Sequence, residues 1–304
     1  MNNNIIHIKS ISQLLQSSGF GKPTHPLITI IDTTKISFTE NMIGLKISSD
    51  LYSIALKDIS CGLDYGRNTY DFSEGVLFFS APNQIFTVTK VQKLNEVKGW
   101  MLYFHPDLIR NTKLGEQIYN YNFFNYEVNE ALHVSDKEKS IICDLVKLIE
   151  NEINERIDNH SQQVLVANIE LILSYSQRFY NRQFNTRAAQ NSDIVSKVES
   201  LLKDYFKKND LLNSGQPTIK YLADNCNLSQ NYLSDLLSKV TGRSAKEHIN
   251  DFLVDKAKHL LLSTTHSVNE IAYNLGFNFP HYFSRLFKKK TGKTPIEFRY
   301  FNHN

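Results

Sequence analysis

The last 112 residues of this chain contain one pattern twice. Thr218 to Gly242 returns as Ser267 to Gly292, with an offset of 49 at Ala223/Ala272 and of 50 at Tyr232/Tyr282, Ser234/Ser284, Leu236/Leu286, Lys239/Lys289, Thr241/Thr291, Gly242/Gly292 and Glu247/Glu297. The second copy therefore carries one extra residue in its turn. Each copy has a small residue followed four positions later by one that tolerates a left-handed backbone: Ala223 and Asn227, then Ala272 and Gly276. Two helices that cross closely need the first, and a tight turn between them needs the second. Leu222, Leu228, Leu233 and Leu236 in one copy, and Ile271, Leu275, Phe277, Phe283 and Leu286 in the other, are spaced to fill two small cores. The pattern is a helix-turn-helix, and its duplication implies two heads that read DNA.

Each recognition helix is expected to begin just after the turn, its early exposed residues facing base edges and its later ones phosphates. In the first copy these are Ser229, Gln230, Asn231, Ser234, Asp235, Ser238 and Lys239; in the second, Phe279, Pro280, His281, Ser284, Arg285, Lys288 and Lys289. Gln230 and Asn231 carry the paired donor and acceptor that adenine presents, while Arg285 suits guanine or a phosphate. Ser229 is equally well placed to cap its helix. The copies differ in charge. Thr218 to Val240 balances two positive against two negative side chains, whereas Ser267 to Lys290 has Arg285, Lys288, Lys289 and Lys290 against Glu270. The first copy is thus expected to contribute more base reading and the second more anchoring. Between them, Ala245 to Leu262 reads as one long helix with Ile249, Phe252, Leu253, Lys256, Ala257, Leu260 and Leu261 on its buried side, holding two heads for successive major grooves.

Charge separates this region from the rest. Residues 193–304 hold 16 Lys/Arg against 11 Asp/Glu, a net of +5, and leave −2 for residues 1–192. A basic excess on the repeated motif suits a polyanionic partner. With 304 residues there is room for two domains. No run of 18 apolar residues occurs and Met1-Asn-Asn-Asn lacks a signal-peptide plan, so a soluble, cytoplasmic protein with no membrane partner is expected. Cys61, Cys143 and Cys226 are unclustered and read as reduced core residues.

The first half reads as all-β. Short β-branched and aromatic runs at Leu27–Ile31, Leu51–Ile59, Asn68–Phe72, Val76–Ser80, Gln84–Val88 and Trp100–Phe104 are divided by breakers such as Cys61-Gly-Leu-Asp, Tyr65-Gly-Arg-Asn, Ser73-Glu-Gly and Ala81-Pro-Asn, the spacing of a sandwich or small barrel. Beyond His105-Pro-Asp the pattern turns helical. Ser135 with Glu138 makes a capping box, and Ile141, Leu145, Leu148, Ile149, Ile153 and Ile157 form a stripe opposite Lys139, Asp144, Lys147 and Glu155. A second helix over Gln162 to Arg182 is apolar around most of its circumference, so it packs on its own barrel or forms a dimer interface. Gln183 to Ser192 is polar and aperiodic and reads as a linker.

Asp193 to Arg299 resembles the DNA-binding domain of the AraC/XylS family of bacterial transcription regulators. The matching stretches are Tyr232-Leu-Ser-Asp-Leu, Thr241-Gly-Arg-Ser, Ala257-Lys-His-Leu-Leu, Glu270-Ile-Ala-Tyr-Asn-Leu-Gly-Phe, Tyr282-Phe-Ser-Arg-Leu-Phe-Lys-Lys and Gly292-Lys-Thr-Pro. Residues 25–130 are similar to the cupin-like sensor barrel that many members carry, through His25-Pro-Leu-Ile and Gly99-Trp-Met-Leu-Tyr-Phe-His-Pro-Asp. The resemblance implies an α+β chain: a cupin-like β-barrel over 1–130, a dimerising helical pair over 131–183, a linker over 184–192 and a two-headed all-α DNA-binding domain over 193–304. It implies a homodimer on double-stranded promoter DNA, RNA polymerase as a partner, a small-molecule effector in the barrel, and activation more often than repression. One departure stands out: the family commonly has Arg where this helix reads Leu253, which removes a charged contact.

Other classes have less support. A metal-dependent cupin enzyme needs clustered ligands, usually with a His-x-His pair, but His7, His25, His105, His133 and His160 are scattered and His105 reads as a capping residue. No nucleophile motif or phosphate-cradling loop is present, so no catalytic residue, metal or cofactor is expected. A regulator without an effector, whose first domain only dimerises or docks a protein, is the alternative. Tyr52, Tyr65, Tyr70, Phe72, Phe78 and Phe79 either line a pocket or fill the barrel, and for aromatics alternating on strands the core is expected.

Overall fold

Strand β4 (Tyr52–Asp58) sends Tyr52, Ile54 and Leu56 to one side and Ser53 and Ala55 to the other, and the central sheet of the first unit is built on that alternation. The structure is a computed structural model that describes residues 5–36, 45–58, 63–65, 68–70, 75–87, 98–127, 130–208 and 211–301. The sheet has the order β10-β7-β4-β9-β2, from β2 (Ile28–Asp32), β7 (Gly75–Ser80), β9 (Lys98–Phe104) and β10 (Leu132–Val134), all antiparallel. Ile54 faces Phe79 on one side and Leu102 on the other, and Leu56 faces Leu77 and Trp100. One side of the sheet thus carries Ile28, Tyr52, Ile54, Phe79, Leu102 and Phe104, all buried. Phe123, from the turn at Asn122–Asn125, packs on Phe79 at 4.5 Å and stacks on Tyr180 at 5.4 Å. The opposite side receives helix α1 (Ile11–Ser17), whose Ile11, Leu14 and Leu15 pack with Ile8, Ile31 and Leu51. Burial there pushes the Tyr103 hydroxyl up to about 12.

A three-stranded sheet pairs β1 (Ile5–Ile8) in parallel with β3 (Lys46–Ser49), which pairs antiparallel with β8 (Ile85–Thr87). Strands β5 (Leu63–Tyr65) and β6 (Asn68–Tyr70) make a hairpin. The expected strands are present with shifted ends. β1, β3, β5 and β10 lie outside the expected runs, and α1 precedes the stretch that reads as all-β. Cys61, Phe72 and the side chains of Tyr65 and Tyr70 lie outside the described residues, as do the breakers in large part. Tyr52 and Phe79 are buried, as core residues should be. His105 caps the turn at Pro106–Leu108 by accepting the Asp107 N–H at 3.2 Å.

Helix α3 (Asp136–Asn154) begins with the Ser135/Glu138 capping box, but its buried stripe is Ile142, Leu145, Val146, Ile149 and Ile153. Leu148 is exposed, and Ile157 lies beyond the helix end, also exposed. Helix α4 (Ser161–Thr186) buries Leu165, Val166, Ile169, Ile172 and Leu173 within the first unit. Arg182 anchors it, donating to both Glu138 carboxylate oxygens at 2.8 Å and to the His133 carbonyl at 2.6 Å. The expected linker is helical. α4 reaches Thr186 and α5 (Ala188–Lys208) starts two residues later. Polar residues that suggested a linker are buried and satisfied: Gln183 accepts the His133 N–H at 2.8 Å, and Asn191 donates to the Phe184 carbonyl at 2.6 Å. Cys143 and Cys226 are half-buried, not core.

The chain divides into two units, Met1–Gln183 and Phe184–Asn304, so the second starts nine residues before the expected Asp193. It is all-α: α5, α6 (Leu211–Ser214), α7 (Ile219–Cys226), α8 (Gln230–Thr241), α9 (Ala245–Ser263), α10 (Val268–Asn274), α11 (Pro280–Thr291) and α12 (Pro295–Phe301). With the sheets of the first unit this is an α+β chain. Among the described residues, no helix is long and apolar enough to cross a membrane.

Candidate nucleic-acid interface

The two turns have the same hydrogen bonds. After α7, Leu228 N–H reaches back five residues to the Ala223 carbonyl at 3.0 Å, with Asn227 between them at φ 56°. After α10, Phe277 N–H reaches the Ala272 carbonyl at 3.0 Å, with Gly276 at φ 75°. Both are Schellman closures, which need a left-handed residue at that position. Ala223 and Ala272 are fully buried at the crossings, where a longer side chain would hold the helices apart. Since Asn227 corresponds to Gly276 and Ser229 to Phe279, the extra residue of the second copy falls after the turn closure, at or next to Asn278.

The helices that follow also end alike. Thr241 Oγ1 donates to the Leu237 carbonyl at 2.7 Å and Thr291 Oγ1 to that of Phe287 at 2.8 Å, and Gly242 and Gly292 close their helices at φ 71° and 77°. The repetition extends past the helix-turn-helix. Ser244 with Glu247, and Thr294 with Glu297, form reciprocal caps that start α9 and α12. Hydrogen bonds from Ser244 and Thr294 hold the Glu247 and Glu297 carboxyls below their ordinary range.

On α8, Leu233, Leu236 and Leu237 face the core. Gln230, Ser238 and Lys239 are exposed, while Asn231, Ser234 and Asp235 are half-buried. Ser229 is the N-cap, accepting the Tyr232 N–H at 3.2 Å, and the Ser234 hydroxyl donates to the Gln230 carbonyl at 2.8 Å. On α11, Phe283 and Phe287 are buried and Leu286 is half-buried. Phe279, His281, Arg285, Lys288 and Lys289 are exposed, with Pro280 and Ser284 half-buried. Each helix therefore gathers its sequence-predicted residues opposite its buried side.

Two tyrosines at equivalent repeat positions differ in burial. Tyr232 is buried against Phe184 at a ring distance of 5.2 Å, whereas Tyr282, its counterpart, is 48% exposed with the Arg285 guanidinium 5.3 Å over its ring. Tyr282 belongs with the candidate interface and was missed because its counterpart is a core residue.

Helix α9 is continuous over 19 residues, roughly 28 Å, and both α8 and α11 pack on it. Leu253 is buried, so the expected loss of a charged contact is a gain of core. The charged contacts come from Asp251, two residues earlier, which meets Lys290 at 2.7 Å and Arg243 at 3.2 Å. Burial raises the Asp251 pKa, but the hydrogen bonds from Lys290 and Arg243 outweigh it and hold the carboxyl below its ordinary value. Lys290 is thereby tied to α9, leaving Arg285, Lys288 and Lys289 as the cations on the outer side of α11. His248, also on α9, is buried against the Thr241 hydroxyl at 2.9 Å, and desolvation lowers its pKa.

A family model described as a helix-turn-helix domain matches residues 222–300. The uncharacterized HTH-type transcriptional regulator YfiF of Bacillus subtilis is 25% identical over 242 residues, covering 77% of this chain and 71% of that protein. The HTH-type transcriptional activator RhaS of Salmonella paratyphi B is 28% identical over 146 residues, 48% of this chain and 50% of its own length. Among solved structures, the C-terminal domain of AraT, a response regulator from Geobacillus stearothermophilus, is 32% identical, covering 34% of this chain and 83% of that one, with a TM-score of 0.29.

Proposed function

Because this chain belongs, through its C-terminal unit, to the AraC family of helix-turn-helix proteins, we propose that it regulates transcription by binding double-stranded promoter DNA with two reading heads on one rigid connector. The observation that carries the reading is that α8 and α11 both pack on the continuous helix α9 while each turns a polar or cationic side outward. In this reading Ser229, Gln230, Asn231, Ser234, Asp235, Ser238 and Lys239 form one contact surface. Phe279, Pro280, His281, Ser284, Arg285, Lys288 and Lys289 form the other. Gln230 and Asn231 read bases; Arg285, Lys288 and Lys289 anchor the backbone.

The test is selection of genomic fragments by the full-length protein at moderate salt, followed by footprinting of variants. Gln230→Ala should change preference in one half of the site and Arg285→Ala should weaken the other, about ten base pairs away. Equal footprints from both on random DNA would end the two-head reading.

We assign the first unit a regulatory role. A cleft of about 620 Å³ opens at the β2 edge of the central sheet beside α3, lined by Leu15, Ile31, Leu56, Trp100, Cys143 and Glu150 among others. That size suits a small molecule, and the buried Trp100 indole N–H beside it has no acceptor among the described residues. These features support an effector site at the β2 edge of the sheet, beside α3. Exposed Leu148 on α3 and Val164 and Leu171 on α4 support dimerisation through the helical pair. Activation through RNA polymerase is the sign of regulation we favour, since the similar protein RhaS is a transcriptional activator. Metabolites that raise the thermal midpoint of the full-length chain would support the effector; a screen without shifts would favour a first unit that only dimerises or docks a protein.

A further inference from the structure

Helix α11 starts on a residue that capping chemistry does not select. The N-caps of α7, α8, α9 and α10 are Thr218, Ser229, Ser244 and Ser267, and each accepts a backbone N–H. Phe279 holds the equivalent position on α11 and accepts nothing through its side chain. Pro280 compensates in part, because its fixed φ suits a first turn and it has no N–H to satisfy. The Phe279 ring is 56% exposed, and beside it lie His281 at 5.8 Å and Tyr282 at 6.0 Å. A large aromatic at a capping position, contributing little to the core, breaks two local rules at once, and such breaks gather at functional sites. The first head has nothing similar, since Ser229 caps and Tyr232 is buried.

Resting on the reading of α11 as a recognition helix, we propose that Phe279 and Tyr282 form an aromatic ledge that reads thymine through its 5-methyl group. Thymine alone among the four bases offers a methyl in the major groove, and apolar side chains at the leading end of a recognition helix are positioned to meet it. Double-stranded DNA is the occupant that the surroundings select: Pro280–Thr291 carries Arg285, Lys288, Lys289 and Lys290 and no acidic residue. The Arg285 guanidinium lies 5.3 Å from the Tyr282 ring centroid, so the ledge adjoins the cationic strip. The two heads then use different chemistry, polar pairing through Gln230 and Asn231 in one and methyl contact in the other.

The experiment uses the full-length protein and a DNA fragment obtained by selection. Each thymine is replaced in turn by uracil, which removes only the methyl. At one or two positions in one half of the site, affinity should fall about fourfold, the equivalent of roughly 0.8 kcal/mol for a buried methyl-sized group. Phe279→Asp should bring the thymine-to-uracil ratio there to one while holding or raising the thermal midpoint, because it supplies the absent cap. Phe279→Leu, which keeps an apolar contact, should retain part of the discrimination. Indifference of wild type to every uracil, or an unchanged ratio in Phe279→Asp, would overturn the ledge while leaving α11 a recognition helix. That result would point to a protein as the partner of these rings. Failure to select any fragment would remove the underlying reading, and this inference with it.

Discussion

Asn227 and Gly276 satisfy one backbone demand in two different settings, which makes them an internal control. At Gly276 an added Cβ would lie 3.1 Å from the Leu211 carbonyl oxygen and 3.2 Å from both the backbone nitrogen and Cγ of Gln216. Two of those three neighbours are backbone and give way little. Gly276→Ala therefore combines about 1–2 kcal/mol for a left-handed alanine with roughly 1 kcal/mol for crowding, about 2–3 kcal/mol in all. Asn227→Gly relieves left-handed strain while freeing the unfolded chain, two effects of under about 1 kcal/mol that oppose each other. The measurement is thermal unfolding of full-length variants by helix circular dichroism, with hydrogen exchange on peptides from α7 and α10 to localise the change. The single tryptophan, Trp100, lies in the first unit and serves as the unaffected reference. A fall of roughly 10 °C in the helical transition is expected for Gly276→Ala, and under about 4 °C for Asn227→Gly. Equal losses from the two variants would refute the claim that α6 and Gln216 constrain the second turn more tightly than the first.

Asp251→Asn should lower stability at pH 7 by about 1 kcal/mol, because it weakens two half-exposed ion pairs. The folded-state pKa of Asp251 is depressed, so its contribution is present above the unfolded value of 3.8 and disappears as pH falls through the lower folded one; variant and wild type should converge in acid melts. Arg182→Ala should destabilise the first unit by about 1–2 kcal/mol, read from Trp100 fluorescence in urea, as it removes a two-pronged contact with Glu138 and a bond to the His133 carbonyl. Tyr232→Ala should cost about 3 kcal/mol and Tyr282→Ala under about 0.5 kcal/mol by urea titration, while only the latter weakens DNA affinity at unchanged fold.

What the sequence made legible is what the backbone decides locally. A buried alanine and a left-handed residue four positions on depend on neighbours in the chain, and both appear in each copy, while the serine cap expected at Ser229 appears in the first. Choices made by distant partners were hidden. Leu145, Ile149 and Ile153 are common to two possible stripes on α3, and only packing selects Ile142 with Val146 over Ile141 with Leu148. Gln183 and Asn191 read as linker because composition cannot foresee the carbonyls and amides that satisfy them. Tyr232 and Tyr282 are the same residue in the same repeat position, and Phe184, outside the repeat, is the neighbour that buries the first. The outward placement of most of the proposed contact residues was legible for that reason too, since the exposed side of a helix follows from its buried side.

The matched caps of Ser244 and Thr294, together with the matched stops at Gly242 and Gly292, bear on how such a protein can change over time. Each copy brings its own punctuation, so the shape of one head does not depend on the letters displayed by the other. Substitutions on the outward side of α8 can accumulate without disturbing α11, and the reverse holds equally. Under the two-head reading proposed above, half of an operator can drift while the other half keeps the protein in place, giving a lineage a stepwise route to new targets.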